Sequence, residues 1–117
     1  MPHLVLEYSG NIDWENPQSF LKDCHDVLST IADLRACKSR AVRCENFLVG
    51  DGDASLAFAH MTLWLMPGRD ESTKEMVGKK LLALMHQHLG SLMNAQKLQG
   101  DFTVSIQELP CYHKDAF

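Results

Sequence analysis

Apolar and polar residues alternate in four stretches of the chain, and this alternation predicts four β-strands. In HLVLEYS, Leu4, Leu6 and Tyr8 share one face, which is typical of a strand covered on at least one side. The other three strands are predicted in ACKSRAVR (36–43), LAFAHMTLWLM (56–66) and DFTVSIQEL (101–109). Proline and glycine follow the third strand at 67–68 and end it.

Two segments carry apolar residues at steps of three and four, which predicts amphipathic helices. The first helix begins at Asn16-Pro17, because asparagine suits the N-cap and proline suits the first helical position. Its apolar positions are Phe20, Cys24, Val27, Leu28 and Ile31. For the second helix, Ser72 and Glu75 predict a capping box before the apolar stripe of residues 76–93.

The order of these elements is strand, helix, strand, given twice, which calls for right-handed crossovers between parallel strands. We therefore predict an α+β fold, a doubled β-α-β with a four-stranded mixed sheet and both helices on one face. The whole chain, 1–117, is predicted to be one domain with pseudo-repeats at 1–50 and 51–117.

The predicted arrangement leaves one face of the sheet without helices. On a period of two, the outward residues include His3, Val5, Ala57, Met61, Leu63 and Leu65. Several of these are too apolar for water, and an apolar sheet face usually marks an interface. We therefore expect an oligomer.

Composition narrows the functional class. A net charge of −4 argues against binding to nucleic acid or to an acidic membrane surface, since both need a basic face. No apolar run approaches the roughly 18 residues of a membrane span, and no secretory signal precedes the first strand. The four cysteines have no C-x-x-C or metal spacing, so reduced thiols and a cytoplasmic location are expected.

Pro2 lies directly before the first strand, and two interpretations remain open. Proline is tolerated as the first residue of a strand, where no hydrogen bond of the sheet is yet required of it. Alternatively, removal of Met1 would make Pro2 the chain terminus, and its secondary amine would be a base held at the end of a rigid element.

Basic residues are concentrated before and within the second strand, where nine positions hold four cations and no carboxylate. Lys38 and Arg40 share a face of the strand, while Arg43 points to the other. The pair is suited to a carboxylate or phosphate ligand. The alternative is an ordinary solvated edge strand, in which lysine and arginine discourage aggregation.

Arg69 precedes the second helix, at a position where the helix dipole favours anions rather than cations. Together with the free amides of the helix it would suit an anionic ligand. The alternative is an ion pair with Asp70 or Glu71. The histidines have no metal-binding spacing, so no metal site is predicted.

Five segments, MPHLVLEYS, KSR, DG followed by AFAHMTL, GRDES and SIQEL, together resemble the 5-carboxymethyl-2-hydroxymuconate isomerase family of the tautomerase superfamily. The resemblance implies a doubled β-α-β fold, three chains around an axis and a terminal proline as catalytic base. It assigns the base to Pro2 and substrate-binding roles to Lys38 and Arg69. Arg40 is the second basic residue of KSR and is assigned the same role.

The resemblance implies a cofactor-independent isomerase that shifts a proton along an unsaturated hydroxy- or oxo-di- or tricarboxylate in aromatic-acid degradation. It would be a homotrimer with a small anionic substrate and no metal or organic cofactor. Two alternatives remain: a keto–enol tautomerase with a different substrate, and a non-catalytic trimer that binds partners or small acids. Two features depart from the family pattern: Lys38 stands where many relatives have arginine, and the tail CYHKDAF is short.

Overall fold

A computed structural model describes all 117 residues and contains the four strands and two helices that the sequence predicts. The elements are β1 (His3–Ser9), α1 (Pro17–Leu28), β2 (Lys38–Cys44), β3 (Leu56–Leu65), α2 (Glu71–Ala95) and β4 (Gln99–Glu108). A single 3₁₀ turn, Leu34–Ala36, delays the start of β2 by two residues relative to the prediction. Neither helix is long and apolar enough to cross a membrane.

The sheet has the strand order β2-β1-β3-β4. β1 is parallel to β2, and β3 is parallel to β4, so each half of the chain forms one β-α-β unit. The two units meet where β1 pairs with β3 in antiparallel orientation. This confirms the predicted α+β fold and mixed sheet, whereas the single-domain assignment with halves at 1–50 and 51–117 stays a prediction.

The core lies between one face of the sheet and the two helices. β1 contributes Leu4 and Leu6, and α1 contributes Phe20, all fully buried. α2 adds a row at steps of four, Val77, Leu81, Met85, Leu89 and Met93. Because one continuous cluster joins both helices to the same sheet face, the other face is left without helices.

The side of the sheet that β3 presents to the helices differs from the prediction. Leu63 lies opposite Leu4, and Met61 lies opposite Leu6. Directly opposed residues of an antiparallel pair share a face, so these β3 residues point towards the helices. The expectation of outward side chains was therefore wrong for Ala57, Met61, Leu63 and Leu65, all of which are buried.

The open face is largely polar. Its first row places His3 between Lys38 and Trp64, and its second places Val5 between Arg40 and Thr62. His3 and Val5 are half-buried and point outward, as predicted. Since charged and hydroxyl side chains alternate with single apolar ones, this face does not support the argument for an oligomer from an apolar patch.

The helix starts agree with the prediction in one case only. Pro17 is the first residue of α1, as expected, although Asn16 makes no side-chain capping bond. The N-cap of α2 is Asp70 rather than Ser72, and its carboxylate accepts a bond from the Thr73 amide at 2.9 Å. Hydrogen bonds from Thr73 and Ser72 lower the pKa of Asp70. The predicted capping box at Ser72 and Glu75 was therefore wrong.

Candidate active site

Pro2 is buried at the start of β1, and the backbone ties it to β2. Its carbonyl accepts a hydrogen bond from the Lys38 amide at 3.1 Å, one residue before the parallel pairing of His3 with Lys38 begins. This bond fixes Lys38 as the immediate neighbour of the N-terminus. In the full chain the Pro2 nitrogen is part of the peptide bond to Met1, and in that form it is not a base.

Arg69 reaches the same region from the loop between β3 and α2. Its Nη2 donates to the Ile31 carbonyl at 2.8 Å, beyond the end of α1, and its Nη1 donates to the Met66 carbonyl at 3.4 Å. Glu71 pairs with Lys74 instead, and the Asp70 carboxylate caps α2. The alternative of a local ion pair for Arg69 is therefore wrong, and carbonyl oxygens hold its guanidinium without neutralising it.

Three cations converge on the N-terminus. Burial lowers the pKa of the Met1 amine, and the charges of Arg69, Lys114 and Lys38 lower it further, in that order of strength. The Cys37 thiol acts in the opposite sense. Lys38 and Lys114 line one cleft with Met1, and the Arg69 charge acts on the same amine from the loop before α2. We call these three side chains the cationic cluster of the N-terminus.

Arg40 lies farther along β2 than Lys38. Its register partner is Val5, whereas that of Lys38 is His3. Two strand residues span about 6.6 Å, so Arg40 stands about that far beyond Lys38 on the open face. Burial lowers the pKa of His3, and the charges of Lys38 and Arg40 lower it further.

Arg43 lies outside this cluster. Its Nη2 donates to the Gly10 carbonyl at 2.6 Å, at the far end of β1, and its Nε pairs with Glu45 at 3.6 Å. The Lys38 ammonium donates to the Ala36 carbonyl at 2.9 Å and has no carboxylate partner. Of the basic residues on β2, Lys38 is thus the one nearest Pro2.

The C-terminal tail (residues 109–117) lies beside the N-terminus, and none of its residues is among those predicted for the site. The tail and the 3₁₀ turn enclose a cleft of about 430 Å³ beside the terminus. Its lining is Met1, Asp33, Arg35, Ala36, Lys38, Lys114, Asp115, Ala116 and Phe117. The signal lay in the topology: β4 runs parallel to β3 and β3 antiparallel to β1, so the end of β4 returns to the start of β1.

The largest cleft of the chain, about 600 Å³, lies elsewhere, between α2 and β4. It is lined by Glu71, Lys74, Glu75, Gly78, Lys79, Leu82, Phe102, Thr103, Val104 and Ile106. None of the predicted site residues reaches it. The convergence of charge at the terminus, rather than cavity size, identifies the candidate active site.

Residues 2–114 match a family model described as 5-carboxymethyl-2-hydroxymuconate isomerase. The chain belongs to this family. It is 32% identical over 112 residues to 5-carboxymethyl-2-hydroxymuconate Delta-isomerase of Escherichia coli, a match that spans 93% of this chain and 87% of that protein. Membership confirms the family and the isomerase class expected from the sequence.

Solved structures agree with this assignment. A 5-carboxymethyl-2-hydroxymuconate isomerase from Deinococcus radiodurans R1 superimposes with a TM-score of 0.87 at 25% identity, covering 98% of this chain and 90% of that one. A fused 4-OT protein, described as a symmetric trimer, shares the fold with a TM-score of 0.71 at 19% identity. That match covers 92% of this chain and 85% of the other.

Proposed function

We propose that this isomerase moves a proton along the conjugated chain of 5-carboxymethyl-2-hydroxymuconate, or a close analogue, with the Pro2 nitrogen as the base. The observation that supports the proposal is the cleft at the N-terminus, where Met1, Lys38 and Lys114 meet and where the charge of Arg69 acts on the same amine. The reaction belongs to the family, and the cluster is suited to a substrate with several carboxylates.

Removal of Met1 would turn the Pro2 nitrogen from an amide into a secondary amine. Burial and neighbouring cations disfavour an ammonium, as they do for the Met1 amine, so the Pro2 amine would have a lowered pKa. A base that is largely neutral near pH 7 can accept a proton and then act as an acid. The Pro2 amine would thus act first as base and then as acid within one turnover.

In this scheme Pro2 takes the proton of the dienol hydroxyl and returns it to a carbon of the conjugated chain. The O–H bond breaks, a carbonyl forms, the double bond shifts, and a C–H bond forms at the far carbon. Atoms and electrons balance within the substrate, and the scheme requires no metal or organic cofactor. Negative charge builds on the carbonyl oxygen, where a fixed cation lowers the barrier.

Arg69 is suited to binding a substrate carboxylate. Its two hydrogen bonds to carbonyl oxygens use only part of the five N–H donors of a guanidinium, so the remaining donors are free for a carboxylate. Lys38 supplies a point charge beside Pro2, without the planar fork of an arginine. Arg40, beside His3, would bind the part of the substrate that extends over the open face.

We further propose that three copies assemble and that the assembly is cytoplasmic. The fused 4-OT relative is described as a symmetric trimer, and β2 and β4 leave two unpaired strand edges here. Closure around a threefold axis would cover such edges. All four cysteines are free, which fits a reducing compartment. Sedimentation of the native protein should give three times the chain mass, and a monomer would contradict this assembly.

The test is an absorbance assay of 5-carboxymethyl-2-hydroxymuconate isomerisation with protein whose loss of Met1 is confirmed by intact mass. We expect turnover of this substrate and little of simple enols of the phenylpyruvate type. The opposite preference would identify a keto–enol tautomerase. Binding of the acid without any turnover would show a binding protein and contradict the proposal.

A further inference from the structure

The C-terminal tail makes two contacts with the N-terminus. The Tyr112 hydroxyl lies 3.0 Å from Nε2 of His3, and the two rings meet edge to face with their centroids 5.8 Å apart. The Lys114 ammonium lies 3.6 Å from the sulfur of Met1. The first contact anchors the tail on β1, and the second brings a cation to the terminus.

Lys114 makes no ion pair, although Asp33 and Asp115 line the same cleft. Its contact with the Met1 thioether is with a weak acceptor that carries no charge. If Met1 is removed, that contact disappears and the cleft widens where the Met1 side chain lay. The ammonium is then left in the cleft at the N-terminus with no carboxylate partner in its own chain, which favours an anionic ligand.

We propose that Lys114 binds one carboxylate of the substrate and makes the site select tricarboxylates over dicarboxylates. The inference rests on the proposed function, because it concerns the same site. Arg69 approaches the terminus from the β3–α2 loop, Lys38 from β2 and Lys114 from the tail, so the three charges come from three separate elements. A substrate with three separated carboxylates can engage all three, whereas a dicarboxylate leaves one cation unused.

The anchor at Tyr112 makes the tail a positioning element. The tail that carries Lys114 is nine residues long and contains no helix or strand. The bond to His3 fixes the tail two residues before Lys114 and one residue after Pro2. Loss of the Tyr112 hydroxyl should therefore weaken the same carboxylate contact without removing the charge.

The experiment measures the binding of two small acids to Met1-free protein by calorimetry. The probes are propane-1,2,3-tricarboxylate and pentanedioate, which differ by one carboxylate. Lys114→Gln should weaken binding of the tricarboxylate about tenfold, in line with loss of one hydrogen bond to a charged group, and leave pentanedioate binding unchanged. Lys114→Arg should retain the preference. Tyr112→Phe should reduce it by a smaller factor.

Lys80→Gln is the matched control, because Lys80 is exposed on α2 and makes no ion pair. It should change neither affinity. Equal weakening of both acids by Lys114→Gln, no weakening, or a wild-type protein without preference for the tricarboxylate would each overturn the inference.

Isomerisation is measured in parallel, so that the two proposals fail separately. Turnover by wild type decides the proposed function. At the pH plateau, Lys114→Gln should raise KM for the tricarboxylate substrate about tenfold and leave kcat nearly unchanged. An active wild type with an unchanged KM in Lys114→Gln would overturn the role of Lys114 alone.

Discussion

The two β-α-β units begin with the same backbone hydrogen bond between their parallel strands, but only in the first unit does that bond lie at the N-terminus of the chain. In the first unit the Lys38 amide donates to the Pro2 carbonyl at 3.1 Å, and in the second the Gln99 amide donates to the Ser55 carbonyl at 2.8 Å. Ser55 thus takes the place of Pro2, and Gln99 the place of Lys38. The Asp53 carboxylate accepts bonds from Ser55 within a turn.

The second unit is the larger one and supplies more of the core. α2 has 25 residues against 12 in α1, and β3 and β4 have ten each against seven in β1 and β2. Its contributions to the site, Arg69 and Lys114, come from a loop and the tail rather than from its repeated elements. The repeat thus builds the scaffold, and the candidate site lies where the repeat is broken.

The largest difference between the units should appear at Pro2 and Ser55. Pro2→Ala leaves a more flexible primary amine, and we expect isomerisation to fall by roughly 10²-fold, within the range for positioned acid–base groups. Ser55→Ala, at the equivalent position, should leave the rate unchanged. Steady-state kinetics on Met1-free protein measure both. Equal rates for Pro2→Ala and wild type would contradict the assignment of the catalytic base to the first unit alone.

Stability should depend on the face of β3 that meets the helices. Leu63→Ala truncates a fully buried side chain of β3, so we expect the free energy of unfolding to fall by about 2–5 kcal/mol. Leu48→Ala, in the loop after β2, alters a side chain that is 77% exposed and should cost less than about 0.5 kcal/mol. Denaturant titration distinguishes the two, and a small loss for Leu63→Ala would mean that β3 faces outward after all.

Arg69 tests whether the second unit takes part in the chemistry. Arg69→Ala should weaken substrate and transition-state binding by about 1.5–3 kcal/mol. Because its charge lowers the pKa of the terminal amine, its removal should raise that pKa. More of the amine is then protonated at a given pH, so the lower limb of the kcat/KM profile moves to higher pH. Arg69→Lys keeps the charge and should leave the lower limb of the profile unchanged. An unchanged lower limb in Arg69→Ala would show that Arg69 lies outside the site.

The smallest effect is expected for the pair Lys38 and Gln99. Lys38 is exposed, and solvent screens its charge, so Lys38→Gln should raise KM by roughly tenfold or less. Gln99→Lys places a cation at the equivalent position of the second unit and should not alter KM. Steady-state kinetics of the two variants test whether a charge at this strand position affects KM only beside the N-terminus. An equal change of KM in both variants would contradict that expectation.

The sequence predicts the elements well where one face of an element is clearly polar. In β1 the predicted inward residues Leu4, Leu6 and Tyr8 are buried, and in α1 Phe20, Cys24 and Leu28 of the predicted stripe are buried. β3 lacks a clearly polar face: Phe58 and Trp64 alternate with Met61 and Leu63, so both faces are rich in apolar residues. Only the pairing with β1 decides which face meets the helices, and that pairing is a tertiary property.

The site could be predicted as a set of residues more readily than as an arrangement. The position of Pro2 and the charges of Lys38 and Arg69 are visible along the chain. The carbonyl that holds Arg69 belongs to Ile31, 38 residues away, and no local pattern relates the two. Lys114 lies in a segment without periodicity, and its place depends on how the sheet brings the chain ends together.

The central claim, that the Pro2 nitrogen is the base, is tested most directly by comparing the protein with and without Met1. The two forms differ only by Met1, whose side chain also lines the cleft, and intact mass distinguishes them. An amide nitrogen is not a base, so we expect the Met1-free form to isomerise the substrate at least about 10²-fold faster than the form that retains Met1. Equal rates for the two forms would contradict the account.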